Sequence, residues 1–245
     1  MSHPFNKKPV VLELFSGQGS VSKSVEALGG RAFRVDWSDS VEAELHQDIR
    51  FMDAEALIRR IGEVPVAVWA SPQCTTYSIA THRHRTASDG YKPKTALAVR
   101  DDITNRTMWR MIDRLCALGM KYYFVENPRG RMRHMPFVAG RPRCSITYCS
   151  YGNRGTAAGF EDQYVMKPTD IWTNHPDPQF RLPCTTKNPP HVHGRFDLAH
   201  KRDYLSRGSM PPTLTDHVAR LALDLPVTCG LVTDEESTNE RHRSC

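Results

Sequence analysis

The chain has 245 residues, 39% of them hydrophobic and 24% charged, enough for one α/β core with a small appended lobe but not for two full domains. A net charge of +6 leans toward a polyanionic partner, and no apolar run reaches bilayer-spanning length. The opening residues lack the apolar stretch of a secretory signal, so the seven cysteines are expected to be thiols in a reducing compartment rather than a disulfide framework.

In chain order, residues 10–15 form an apolar run ending in the turn Ser16-Gly17-Gln18-Gly19-Ser20, followed by a helical pattern through Val21, Val25 and Leu28. This predicts strand, glycine turn, helix. A second strand over 31–35 ends at Asp36-Trp37, and 42–45 reads as a short helix before Asp48-Ile49. Residues 54–61 read as a helix and 64–70 as a buried strand running into Ser71-Pro72-Gln73-Cys74. A polar, basic loop over 75–94 leads to a helix over 96–118, with apolar residues at Ile103, Met108, Met111, Ile112 and Leu115. A strand over 121–125 stops at Glu126-Asn127-Pro128, and two more strands are expected near 145–150 and 169–173. Pro211-Pro212 opens a last helix through Leu214, Val218, Leu221 and Leu225, and the polar end reads as a disordered tail. Alternating strands and helices predict a mostly parallel sheet covered on both faces. The expected division is 1–140 for the main domain, 141–206 for a small, poorly regular lobe, 207–226 for a returning helix and 227–245 for the tail.

Glycine turns after a first strand bring backbone N–H groups and a helix N-terminus close to a ligand, although many α/β proteins carry such a turn without one. Asp36, at the end of the second strand, suits ribose hydroxyls, and Trp37 suits an adenine face; a surface aspartate and a core tryptophan are the plain alternative. Two basic clusters stand out: His82, Arg83, His84, Arg85, Lys92 and Lys94; and Arg129, Arg131, Arg133, His134, Arg141 and Arg143. Their positions directly after Cys74 and Glu126 favour phosphate contact over a merely solvated face. Cys144, Cys149, Cys184, His191 and His193 lack the close cysteine pairs of a structural zinc site, so no metal is expected.

Taken in order, Leu12-Glu13-Leu14-Phe15-Ser16-Gly17-Gln18-Gly19, Asp36-Trp37, Asp48-Ile49, Ser71-Pro72-Gln73-Cys74 and Glu126-Asn127-Pro128 resemble the cytosine-C5 DNA methyltransferases. The likeness covers the first 130 or so residues well and the rest loosely. It implies a Rossmann-like fold that binds S-adenosyl-L-methionine (AdoMet). Phe15, Gly17 and Gly19 would hold its methionine part, Asp36 and Trp37 its ribose and adenine, and Asp48 and Ile49 the adenine edge. Cys74 would be the nucleophile that adds to C6 of the pyrimidine, with nearby cations and N–H groups lowering its pKa, and Glu126 the acid at N3. Asn127 would brace the cysteine turn. Arg154 is the candidate for the family's arginine at the cytosine O2, with Lys167 as the alternative.

The resemblance also implies double-stranded DNA as partner, with the target base swung out of the stack, a closing loop over 81–94 hinged at Gly90, and contacts from Thr75, Tyr77, Ser78 and Tyr91. The compact form resembles bacterial and bacteriophage enzymes of restriction-modification, hence a monomer in the cytoplasm of a bacterial or phage-infected cell. The chain departs from the family in Gln73, where proline is usual before the cysteine, in a short target-recognition region, and in a missing Gln-x-Arg-x-Arg element. RNA as substrate, or a DNA-binding protein that keeps the fold with weak catalysis, are the competing readings.

Overall fold

A computed structural model describes residues 7–80, 82–152, 164, 166–185 and 210–227. Its centre is a seven-stranded sheet built from β1 (Val10–Leu14), β2 (Arg31–Asp36), β3 (Leu45–His46), β4 (Ala67–Ala70), β5 (Tyr122–Pro128), β6 (Arg143–Thr147) and β7 (Pro168–Thr173). The spatial order is β3-β2-β1-β4-β5-β7-β6, and β7 alone runs against the others. Among the described residues, four α-helices flank it: α1 (Ser20–Ala27), α2 (Ala54–Ile61), α3 (Ala96–Ala117) and α4 (Pro212–Ala222). This is a Rossmann-like α/β fold with helices on both faces.

The alternation of strand side chains assigns the two faces. Val10, Leu12 and Leu14 of β1, with Val68 of β4 and Val125 of β5, pack beneath Leu57 and Ile61 of α2 and Met108, Ile112 and Leu115 of α3. Val11, Trp69 and Phe124 point the other way, onto Val21 and Val25 of α1 and Leu214, Val218 and Leu221 of α4. Burying each such side chain stabilises the fold by about 1.5–3 kcal/mol. Glu13 breaks the apolar pattern of β1 for a reason: its buried carboxylate accepts the N–H groups of Val21 at 3.3 Å and Ser22 at 2.8 Å, and the Ser22 hydroxyl. It thereby satisfies donors that the first turn of α1 leaves without helical partners.

Three expectations change. Residues 42–44 are not helical; the chain there is irregular, bends at Glu44 and enters β3, whose two residues pair with Val35 and Asp36. The predicted strand over 145–150 is shorter and earlier, because the backbone tightens into a 3-10 turn at Tyr148–Tyr151. The stretch 141–206, expected as a lobe, contributes β6 and β7 to the main sheet, while 153–163, 165 and 186–206 lie outside the described residues. The tail from 228 onward lies outside them too. No helix among the described residues is long and apolar enough to cross a membrane.

Candidate active site

The sheet changes direction between β1 and β4, because the chain winds from β1 toward β3 on one side and continues from β4 to β5 on the other. In open parallel sheets the crevice at the carboxyl ends beside such a point is where ligands bind. Here it is a cleft of about 740 Å³, counted to its open mouth, lined by Phe15, Asp36, Trp37, Asp48, Ile49 and, from the opposite wall, Gln73, Arg100, Asp101 and Thr104.

The turn after β1 is bent into an unusual shape. Phe15 takes a φ of 57°, rare for a residue with a side chain, and Gly17 and Gly19 follow at 50° and 65°. Asp36 holds this bend: one carboxylate oxygen accepts the Gly17 N–H at 3.0 Å and the other the Ser38 N–H at 3.0 Å. Trp37, next along, is 66% exposed although it lines the cleft, whereas the other three tryptophans are buried. Asp36 is thus nearly buried and Trp37 bare, the reverse of a surface aspartate beside a core tryptophan. Asp48 caps a short 3-10 turn at Ile49–Phe51 and forms a 2.5 Å ion pair with Arg50, which holds its carboxyl below the ordinary range. Ile49 is buried at the cleft floor.

Cys74 and Glu126 come together by strand register. The last rung between β4 and β5 joins Ala70 to Val125, so Glu126 and the Ser71-Pro72-Gln73-Cys74 turn lie just past it on neighbouring strands. The Asn127 amide donates to the Pro72 carbonyl at 3.1 Å and ties the two segments. Gln73 lies on the cleft wall, and Cys74 follows it, exposed, with the Glu126 charge acting on its sulfur.

Because β7 is antiparallel, its amino end falls at the carboxyl ends of β5 and β6. Tyr148, just past the last rung of β6, and Lys167, just before β7, therefore arrive beside Glu126. The fully buried Tyr148 hydroxyl donates to Glu126 Oε1 at 3.0 Å, and the Lys167 ammonium lies 3.8 Å from the same oxygen. Burial and the Glu126 charge push the Tyr148 phenol far above its usual range, so it stays a donor. Sequence reasoning missed Tyr148; an aromatic residue closing a strand that ends at the site edge was its available signal.

The Cys74 thiol is held above its ordinary pKa, not below it. Although the residue as a whole is exposed, desolvation of its sulfur by the surrounding protein is the first cause and the Glu126 charge the second, with Lys167 opposing both. The cations expected to activate it are committed elsewhere. Arg85 is fully buried and paired with Asp102 at 2.7 Å, His84 is buried against Thr95, and Arg133 forks onto Asp170 at 2.6–3.0 Å. Arg131 donates to the Ser78 carbonyl, and Arg141 pairs with Asp113 at 2.7 Å. Tyr77 is buried, with its hydroxyl donating to Asp102, so it packs inside the protein and not against a base. Much of the two basic clusters is therefore scaffolding: Thr76 to Asp101, Tyr77 and Arg85 to Asp102 lash the loop after Cys74 onto α3.

His82, Arg83, Lys92, Arg129, His134 and Arg143 remain exposed. Tyr91 stacks on His134 at 4.7 Å, and Gly90, with φ at 65°, ends a 3-10 turn at Ala87–Asp89. Arg154 lies outside the described residues.

No family model matches the chain, and no curated protein matches it. Among solved structures, the chain is similar to the crystal structure of a Spodoptera frugiperda DNMT2 mutant, at 13% identity and a TM-score of 0.40. The match covers 78% of this chain and 56% of that one, so this chain spans little more than half of that protein's length.

Proposed function

We propose that the chain is an AdoMet-dependent methyltransferase acting on C5 of cytosine in DNA through a covalent bond between Cys74 and C6. The observation that carries this reading is the shared site of Cys74 and Glu126, both just past the last rung between β4 and β5, beside the cleft with the glycine turn.

The cleft fits the donor. The bare Trp37 ring offers an adenine a stacking face, Asp36 and Asp48 offer acceptors to ribose and adenine, and the positive-φ turn from Phe15 to Gly19, held by Asp36, shapes the edge of the cleft. Buried hydroxyls of Ser16 and Ser71, at the ends of β1 and β4, have no protein partner among the described residues. Phe15, Gly17, Gly19, Asp36, Trp37, Asp48 and Ile49 would hold AdoMet, which when bound supplies an electrophilic methyl group to the activated ring carbon.

The chain's own residues do the activating. The Cys74 thiolate forms a bond to C6 as the C5–C6 double bond opens, and the electron pair moves through the ring toward N3, where Glu126 delivers a proton. C5 thereby gains enamine character. After transfer, loss of the C5 proton to solvent reforms the double bond and expels the Cys74 thiolate, and N3 returns its proton to Glu126. The Asn127 bond to Pro72 and the Tyr148 bond to Glu126 hold both reacting groups in place. The exposed basic residues after Cys74 and after Glu126 suit phosphates around an extruded base. The bacterial or bacteriophage setting, protection from restriction, and action as a monomer belong to this same proposal.

The test is incubation with tritiated AdoMet and matched duplex DNA and RNA. Label in DNA is expected, with loss of at least a thousandfold in Cys74→Ala and a trapped adduct on 5-fluorocytosine duplex. Label in RNA alone would move the substrate to RNA. No label in either, despite AdoMet binding, would leave a binding protein that keeps the fold.

A further inference from the structure

The charged groups of the cleft fall into two kinds. Asp36 accepts the Gly17 and Ser38 N–H groups, and Asp48 is joined to Arg50 at 2.5 Å, so these are satisfied within the protein. On the opposite wall, Arg100, Asp101 and Thr104 follow one another within a turn or so of α3 and face the same space. Arg100 and Asp101 are 3.8 Å apart, an ion pair too long for a hydrogen bond. Asp101 is 3% exposed and fixed in place, because its Oδ2 accepts the Thr76 hydroxyl at 2.8 Å. Among the described residues, neither its Oδ1 nor the Arg100 guanidinium has a hydrogen-bond partner. A carboxylate this deeply placed gains from a donor on its second oxygen, and a guanidinium fork gains from an anion.

We propose that Arg100 and Asp101 form a clamp for a zwitterionic α-amino-acid group, the methionine end of the donor: Arg100 takes the carboxylate and Asp101 Oδ1 the ammonium. The proposal deepens the reading above and rests on it for the donor. With the adenosine on Trp37, Asp36 and Asp48, the remaining arm of the donor is left to the wall of Arg100 and Asp101, which also carries Gln73, the residue before Cys74. Opposite charges side by side match the two charges of an α-amino acid, whereas a phosphate would be repelled by Asp101 and a lone amine by Arg100. The sulfur that bears the methyl group joins adenosine to amino acid, so holding both ends fixes where it lies along the cleft.

The experiment is titration calorimetry of the full chain with three ligands: S-adenosylhomocysteine (AdoHcy), which carries the amino-acid group; methylthioadenosine, which lacks it; and decarboxylated AdoMet, which keeps the ammonium without the carboxylate. The wild type should bind AdoHcy at least about tenfold more tightly than methylthioadenosine. Arg100→Gln should weaken AdoHcy about five- to thirtyfold and should not weaken the other two. Asp101→Asn keeps an acceptor for Thr76; it should weaken AdoHcy and decarboxylated AdoMet by a similar factor and leave methylthioadenosine within about twofold. An unmoved methylthioadenosine affinity also shows that the cleft has kept its shape. Variants that leave AdoHcy affinity intact, or weaken all three ligands alike, overturn the clamp, as does a wild type that binds AdoHcy no better than methylthioadenosine. A wild type that binds none of the three overturns the donor reading and the clamp with it. The expected pattern without methyl transfer to any nucleic acid supports the clamp and sinks the proposed reaction.

Discussion

Trp37 is where exposure at a single residue bears on the proposed function. A tryptophan left 66% bare on a cleft wall forgoes burial that its three counterparts obtain, and an aromatic ligand face would recover that burial. AdoMet should therefore shield Trp37 from acrylamide quenching, and Trp37→Ala should weaken AdoMet binding about three- to tenfold by titration calorimetry. Undiminished affinity in that variant would remove the stacking role. Gly130 is a second telling residue. A Cβ built there would meet the Tyr77 carbonyl at 2.5 Å, backbone against backbone, so only glycine lets the segment after β5 press on the loop after Cys74. Gly130→Ala should destabilise the protein by about 1–3 kcal/mol in urea unfolding and lower turnover further than it lowers AdoMet affinity. Equal stability would show that the loop yields freely.

At the scale of elements, the last helix is tied back to the sheet by Asp224 in the turn after α4. Its carboxylate accepts Lys121 Nζ at 2.5 Å and the Tyr122 hydroxyl at 2.8 Å at the start of β5. These contacts hold its carboxyl below the ordinary 3.8. A lowered folded-state pKa means a contribution that is present above the unfolded value and fades as pH falls through the folded one. The Asp224 side chain is 49% exposed, so solvent screens the pair and its contribution is small. Asp224→Asn should accordingly lower Tm by about 1–2 °C at pH 7 and leave it unchanged near pH 2, as differential scanning calorimetry would record. A Tm deficit of the same size at both values would assign the effect to packing.

For the whole molecule, the number of basic residues in the two clusters overstates the surface available to a polyanion, because Arg85, Arg133 and Arg141 are paired with Asp102, Asp170 and Asp113 and Arg131 is turned onto the Ser78 carbonyl. The exposed set of Lys92, Arg129 and their neighbours lies on the two segments that follow Cys74 and Glu126. Duplex DNA affinity should fall steeply with potassium chloride. Lys92→Glu with Arg129→Glu should weaken it and reduce the log–log slope by about one for each phosphate no longer neutralised, read by fluorescence anisotropy. An unaltered slope would direct the search for a nucleic-acid surface elsewhere.

Local patterns in the sequence sufficed for the strand–turn–helix opening at Gly17 and Gly19, the parallel direction of the first strands, the last helix from Pro212, and the placement of Asp36 at the end of β2; Glu126, expected just past its strand, lies inside β5, which pairing with β7 extends to Pro128. Apolar periodicity and turn chemistry act between near neighbours, and those can be read from one chain. The reversed strand β7 was different, since its direction is settled by hydrogen bonds to β5 and β6 across more than twenty residues of chain; it alone brings Tyr148 and Lys167 to Glu126. The fate of the basic residues was likewise a tertiary matter. Arg85 and Arg83 are alike in sequence, yet Arg85 faces Asp102 in the interior while Arg83 is exposed, because burial depends on what the fold places opposite. The same reason explains the Cys74 thiol: its ionisation depends on burial of the sulfur and on the Glu126, Lys167 and Asp101 charges, which only the folded chain assembles.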